Sequence, residues 1–187
     1  MEITRTMSDS IRELLEYNPA TGEFFWLRSG NSITTGQQAG SVYPNGYRYI
    51  QINGLDYRAG RLAWWFETGE EPQGFIDHIN GLRDDNRFDN LRVATNSQNQ
   101  ANAFWTTNTS GFKGVTWQPS RNKWYAQIRV NGVAKNLGRF DNIVDAAKAY
   151  RRAAIEAWGE FAQVPSDDEI EELGAVLQSR RNERTNT

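Results

Sequence analysis

His78 is the only histidine in the 187-residue chain, and it lies in Ile76-Asp77-His78-Ile79-Asn80-Gly81. Asp89-Asn90-Leu91-Arg92-Val93-Ala94-Thr95 follows, and Asn99 comes nine residues after Asn90. An acidic side chain, an imidazole and two carboxamides at this spacing could cut a phosphodiester with one hard metal ion. Hydrolysis needs a base at neutral pH, and an imidazole with an unperturbed pKa of ~6.5 supplies one. It needs a cation to offset charge on the phosphorane and the leaving 3′ oxygen, which Mg²⁺ does through oxygen ligands and retained water. The loop must also be rigid, because a misplacement of roughly 1 Å can cost about a hundredfold in rate. Asp77 and Asn99 are the candidate metal ligands, and His78 is the candidate base. Asn90 is the candidate brace, tying the loop and orienting His78. The competing reading is a packed histidine among asparagines that cap turns and helices.

Such a site requires His78 at the end of a strand and Asn99 on a helix crossing beneath it. The pattern over 75–104 suits this, reading as strand, polar loop, strand and helix. Ahead of it, Ser8-Asp9-Ser10 can cap a helix to about residue 17, and Asn18-Pro19-Ala20-Thr21-Gly22 is a turn signal before the strand Phe24-Phe25-Trp26-Leu27. Residues 47–52 and 55–58 read as strands joined by the tight turn Asn53-Gly54, and a helix around 61–66 stops at Gly69. Past a polar run at 106–111, three short strands are predicted at 114–118, 123–130 and 133–140, with a second tight turn at Asn131-Gly132. Asp141-Asn142 can cap a helix to about 158, and Ser166-Asp167-Asp168-Glu169 begins a last helix to about 178.

Composition bounds the partners. Seven Trp and an ordinary hydrophobic content indicate a folded chain. No run approaches the ~18 apolar residues of a membrane span, and the N-terminus lacks the pattern of a signal peptide. With no cysteine and one histidine, an ordinary zinc cage is excluded, so any metal is held mainly by oxygen. These features lead us to expect a cytoplasmic protein without a membrane partner. The net charge of −2 is uneven along the chain. Residues 1–104 carry 9 Lys/Arg against 13 Asp/Glu, residues 105–164 carry 9 against 4, and residues 165–187 carry 3 against 6. A nucleic-acid partner would therefore be gripped mainly by the basic stretch 105–164.

On Asp77-His78-Ile79-Asn80-Gly81, Asp85-Asn86, Asn90-Leu91-Arg92-Val93-Ala94-Thr95 and Asn99, the sequence resembles the HNH nucleases, specifically their phage homing-endonuclease branch. The resemblance implies a ββα-metal fold with His78 as general base, Asp77 and Asn99 as metal ligands, and Asn90 as the brace. An asparagine as last ligand favours Mg²⁺ or Mn²⁺ over zinc, one ion per site. Tyr17-Asn18-Pro19, Gly22-Glu23-Phe24, Gly46-Tyr47-Arg48 and Arg61-Leu62-Ala63-Trp64 look like the front half of the same phage proteins. One departure stands out: relatives commonly carry His just before the Arg-Leu segment, where this chain has Gly60.

Residues 111–163 resemble an AP2 domain of the ERF type, a three-stranded sheet on one helix. The resemblance is carried by Gly114-Val115, 123–129, Leu137-Gly138-Arg139-Phe140, Ala146-Ala147 and Ala149-Tyr150. Strand parity puts Val115, Trp117, Trp124, Ala126, Ile128 and Leu137 toward the helix. Thr116, Gln118, Lys123, Tyr125, Gln127, Arg129 and Asn136, with Arg121 beside them, then form an outer face suited to double-stranded DNA. A solvated polar face is the alternative.

These readings together predict an α+β protein. The nuclease domain spans 1–105, a linker 106–110, an AP2-like DNA-binding domain 111–163, and an acidic helix and tail 164–187. The predicted function is metal-dependent, homing-type DNA endonuclease. A single site per chain favours nicking unless the protein self-associates. The alternative is a DNA-binding regulator with an inactive HNH scaffold.

Overall fold

The structure, a computed structural model, describes residues 5–30, 33–102 and 110–185. The chain divides into two compact units, 1–96 and 97–187. The expected linker at 106–110 falls almost wholly outside the described residues, with Ser110 alone inside them.

The first unit begins with helix α1 (Arg5–Leu14), strands β1 (Leu15–Asn18) and β2 (Glu23–Trp26), and the short β3 (Ser41–Val42). It continues through β4 (Arg48–Ile52), β5 (Leu55–Arg58), helix α2 (Ala59–Thr68), β6 (Phe75–His78) and β7 (Leu91–Ala94). The helix expected to reach about residue 17 ends at Leu14, because 15–18 pair antiparallel with β2 across the Asn18–Gly22 turn. Asn18 Oδ1 accepts from the amides of Ala20 and Thr21, and Gly22 takes a left-handed φ of 76°. A Cβ at Gly22 would run into the backbone of Asn86 and Arg87. That turn therefore presses directly on the loop between β6 and β7. Strands β3, β4 and β5 form a three-stranded antiparallel sheet, with Asn53 and Gly54 at positive φ in the β4–β5 turn. α2 stops where Gly69 takes a φ of 73°, a left-handed cap. Ile11, Leu15, Phe24, Ile50, Leu62 and Trp65 fill the core of this unit.

The second unit starts with the short helix α3 (Asn96–Ala101), of which Ser97 onward belongs here. Strands β8 (Val115–Gln118), β9 (Lys123–Val130) and β10 (Val133–Phe140) form an antiparallel sheet with β9 central. Helix α4 (Ile143–Trp158) packs on it through Ile143, Val144, Ala146 and Ala147. Asn142 caps α4, its Oδ1 accepting from the Val144 amide at 2.9 Å. Helix α5 (Asp167–Thr185) runs further than the sequence suggested. Ser166 and Glu169 close a reciprocal capping box at its start. α5 packs against α4, with Ile170 buried and Lys148 Nζ donating to Glu171 at 2.6 Å. The acidic C-terminal segment thus completes the core of the basic module. Among the described residues no helix is long and apolar enough to cross a membrane.

Candidate active site

Among the described residues of the first unit, the buried polar side chains Asp77, His78, Asn86 and Asn90 gather at the end of β6 and in the loop that follows it. β6 and β7 pair in a register that sets Asp77 directly opposite Arg92, and His78 opposite Leu91. Asp77 is buried, and Arg92 Nε donates to its Oδ2 at 2.9 Å. Removing a carboxylate from water is costly unless it is matched, and the guanidinium supplies that match.

Asn90 ends the 3-10 turn Phe88–Asn90 and is buried. Its Oδ1 accepts from the Asn80 amide at 3.0 Å. Its Nδ2 donates to Asn80 Oδ1 at 3.0 Å and to the Asp85 carbonyl at 2.7 Å. One carboxamide thereby ties both halves of the 79–90 loop. Ile79 N–H also donates to the Asn90 carbonyl, and Gly81 N–H to the His78 carbonyl. Asp85 is gripped by both Nε and Nη2 of Arg87 and by Asn80 Nδ2. The Arg87 contact, ahead of that from Asn80, holds its carboxyl at a pKa of about 2.

His78 is 5% exposed, and its Nε2 lies 3.2 Å from Oδ1 of Asn86, which is itself 2% exposed. Asn86 Nδ2 donates to the Asp84 carbonyl at 3.0 Å, so its Oδ1 is the atom turned to the imidazole. A carboxamide oxygen only accepts, so Nε2 carries the hydrogen and Nδ1 keeps the lone pair. Burial lowers the His78 pKa, opposed by the Asn86 hydrogen bond and by the Asp77 and Asp85 charges. Tyr17 fixes Asn86 from behind, its hydroxyl donating to the Asn86 carbonyl at 2.7 Å.

Asn86 is the residue against His78 that the sequence reading did not single out. It stood in the Asp85-Asn86 pair, but nothing in the spacing said which loop asparagine would reach the imidazole. Gly60 also acquires a location. A Cβ there would lie 3.1 Å from Asn86 Oδ1 and 3.5 Å from His78 Nε2. The position that departs from the family pattern therefore borders the histidine itself.

Asn99 lies on α3, within the second unit. Among the described residues no three His, Asp or Glu side chains gather into a metal cage. The donor set is one carboxylate and neutral carboxamides. Hard oxygens of this kind fit a divalent ion that keeps much of its water.

A family model described as HNH endonuclease matches residues 57–101, which include α2, β6, the 79–90 loop, β7 and α3. Protein 3.8 of Escherichia phage T7 is 34% identical over 112 residues, 57% of this chain and 92% of that protein. Residues 57–101 are an HNH endonuclease domain. A further relative, the uncharacterized HNH endonuclease L560 of Acanthamoeba polyphaga mimivirus, is 32% identical over 88 residues. That match covers 47% of this chain and 45% of the viral protein. No solved structure matches the chain. HNH nucleases act on DNA and generally use a divalent metal ion, which fits the oxygen-rich surroundings of His78.

The predicted outer face of the second unit is laid out by the register of β8, β9 and β10. Thr116 pairs with Tyr125, Gln118 with Lys123, and Gln127 with Asn136. Thr116, Gln127, Arg129 and Asn136 are exposed, as is Arg121 in the 3-10 turn Pro119–Arg121. Lys123 is engaged with Asp141, and Arg129 Nη1 donates to the Gly132 carbonyl at 3.1 Å. Arg139 joins this face unforeseen. A bulge between Asn136 and Gly138 breaks the alternation, so Arg139 pairs with Tyr125. Its guanidinium lies 5.2 Å from the Tyr125 ring and donates to Gln118 Oε1 at 2.9 Å.

Proposed function

We propose that this chain is a homing-type DNA endonuclease in which His78 Nδ1 takes the proton from the attacking water. The observation that carries this reading is the buried hydrogen bond between His78 Nε2 and Asn86 Oδ1, which orients the ring and sets the hydrogen on Nε2, making Nδ1 the basic nitrogen. Burial, which favours the neutral ring, keeps that nitrogen unprotonated at neutral pH. The activated water attacks phosphorus and the 3′ oxygen leaves. The resulting imidazolium keeps its Asn86 contact and lies near the Asp77 and Asp85 carboxylates, which favour it. Asn90 holds the loop so that the ring does not shift during the reaction.

Asp77 and Asn99 are the proposed ligands of a Mg²⁺ or Mn²⁺ ion, with the assignment of Asn99 resting on its spacing in the sequence alone. The bound ion supplies charge neutralisation at the phosphate and the departing oxygen. The outer face of β8, β9 and β10 is the proposed AP2-like address reader, on the strength of its exposed Arg, Gln and Asn side chains. One site per chain makes a nick the expected product. The test is conversion of supercoiled plasmid by the full chain in Mg²⁺ or Mn²⁺ against EDTA. Open circles only when metal is present support the reading. Unaltered plasmid that the protein nonetheless binds favours a DNA-binding regulator on an inactive scaffold.

A further inference from the structure

Five arginines of the first unit, Arg28, Arg48, Arg61, Arg87 and Arg92, are paired with Glu13, Asp84, Glu71, Asp85 and Asp77, while Arg12 donates to the Phe66 carbonyl and lies over the Trp65 and Phe66 rings. Arg58 and Arg83 differ. Both are exposed, and among the described residues neither has a carboxylate partner. Both instead converge on one ring: the Arg58 guanidinium lies 4.8 Å and that of Arg83 5.0 Å from the centroid of Tyr47. Arg58 Nε donates to the Tyr49 hydroxyl at 3.1 Å, and Arg83 Nη1 to the Asn45 carbonyl at 2.8 Å. The one acid within strands β3, β4 and β5, Asp56, is engaged by Gln51 and Tyr43.

The Tyr47 ring is 5.9 Å from the His78 ring, centroid to centroid. Two guanidiniums are thus pre-set beside the proposed base, their side chains ordered by an aromatic face rather than neutralised by an acid. The ligand they lack is an anion presenting several oxygens. A nucleic-acid backbone supplies one at every nucleotide, and guanidinium groups match phosphate geometry through paired N–H donors.

We propose that Arg58 and Arg83, held on Tyr47, form a phosphate clamp that grips the DNA backbone next to the bond facing His78. This clamp belongs to the first unit, and the outer face of β8, β9 and β10 belongs to the second. The clamp rests on the reading of His78 as the centre of a DNA-cutting site.

The test is the salt dependence of binding. The full chain and its Arg58→Gln, Arg83→Gln and double variants are titrated onto a labelled duplex in EDTA over a range of KCl. Arg28→Gln, which removes a surface charge paired with Glu13, is the control. Each clamp variant should lower the slope of log affinity against log salt by about 0.9, and the double variant by about twice that, with the control unchanged. A folded double variant that keeps the wild-type slope overturns the clamp. Should the double variant not fold, phenylglyoxal modification of the wild type decides. DNA should protect Arg58 and Arg83, and equal labelling with and without DNA overturns the proposal. Plasmid nicking in parallel separates the two readings. A wild-type slope in the variants of a protein that nicks removes the clamp alone, whereas clamp-dependent binding without nicking removes the nuclease reading alone.

Discussion

Burial strips water from the His78 ring and penalises its cationic form, while Asn86, Asp77 and Asp85 favour that form less strongly. The folded pKa therefore lies below the ordinary imidazole value of 6.5. Two expectations follow from that direction. The cleavage rate should climb with pH and level off below 6.5, since the base must be neutral. Stability has the matching sign. The unfolded chain binds this proton more readily, so the contribution of His78 is fully present above 6.5 and is lost as pH falls through the folded pKa. Rate–pH and melting–pH curves on the same protein check both. Asn90→Ala should cost about 1–3 kcal/mol, because Asn80 and Asp85 would lose their buried partners, and urea unfolding measures it. The histidine, its neighbouring acid and the middle asparagine were legible from residue type and spacing. Asn86 was not, because a loop of several polar residues does not announce which carboxamide will turn inward.

Among the elements, the hairpins were the most legible. Asn53-Gly54 and Asn131-Gly132 both occur where Asn and Gly accept the positive φ of a tight turn. What pairing decides was harder to read. Residues 15–17 looked helical by periodicity but pair with β2, and the short β3 carried no pattern of its own. The bulge at Asn136–Gly138 could not be seen by counting. Gly138 sits at a φ of 128° with its amide donating to Asn136 Oδ1, and every side chain after it changes face. Arg139 reaches the outer face for that reason. If that face holds DNA, Arg139→Gln should lower the salt slope of binding by about 0.9, as anisotropy titrations would show. In the first unit, Gly22→Ala should destabilise by about 1–3 kcal/mol, since it combines a left-handed φ with a clash against the Asn86 loop. The altered loop should also slow cutting, which a single-turnover assay reads.

At the scale of the whole chain, each unit has its own buried core. Leu62, fully buried in the first, predicts that Leu62→Ala costs about 2–5 kcal/mol and lowers the melting of residues 1–96. Hydrogen exchange should then show unchanged protection in β9 and α4. Regional charge had marked 105–164 as the basic stretch, but the last segment could not be placed by charge alone. Its Ile170 enters the core of the second unit, while Glu171 pairs with Lys148 on α4. The most direct test of His78 as the base is single-turnover cleavage of one DNA substrate by wild-type and His78→Ala protein in Mg²⁺, with binding measured in parallel. A loss of about a hundredfold or more in rate, with affinity nearly unchanged, is expected of His78→Ala. Cleavage by His78→Ala at the wild-type rate, still sensitive to EDTA, would contradict that role.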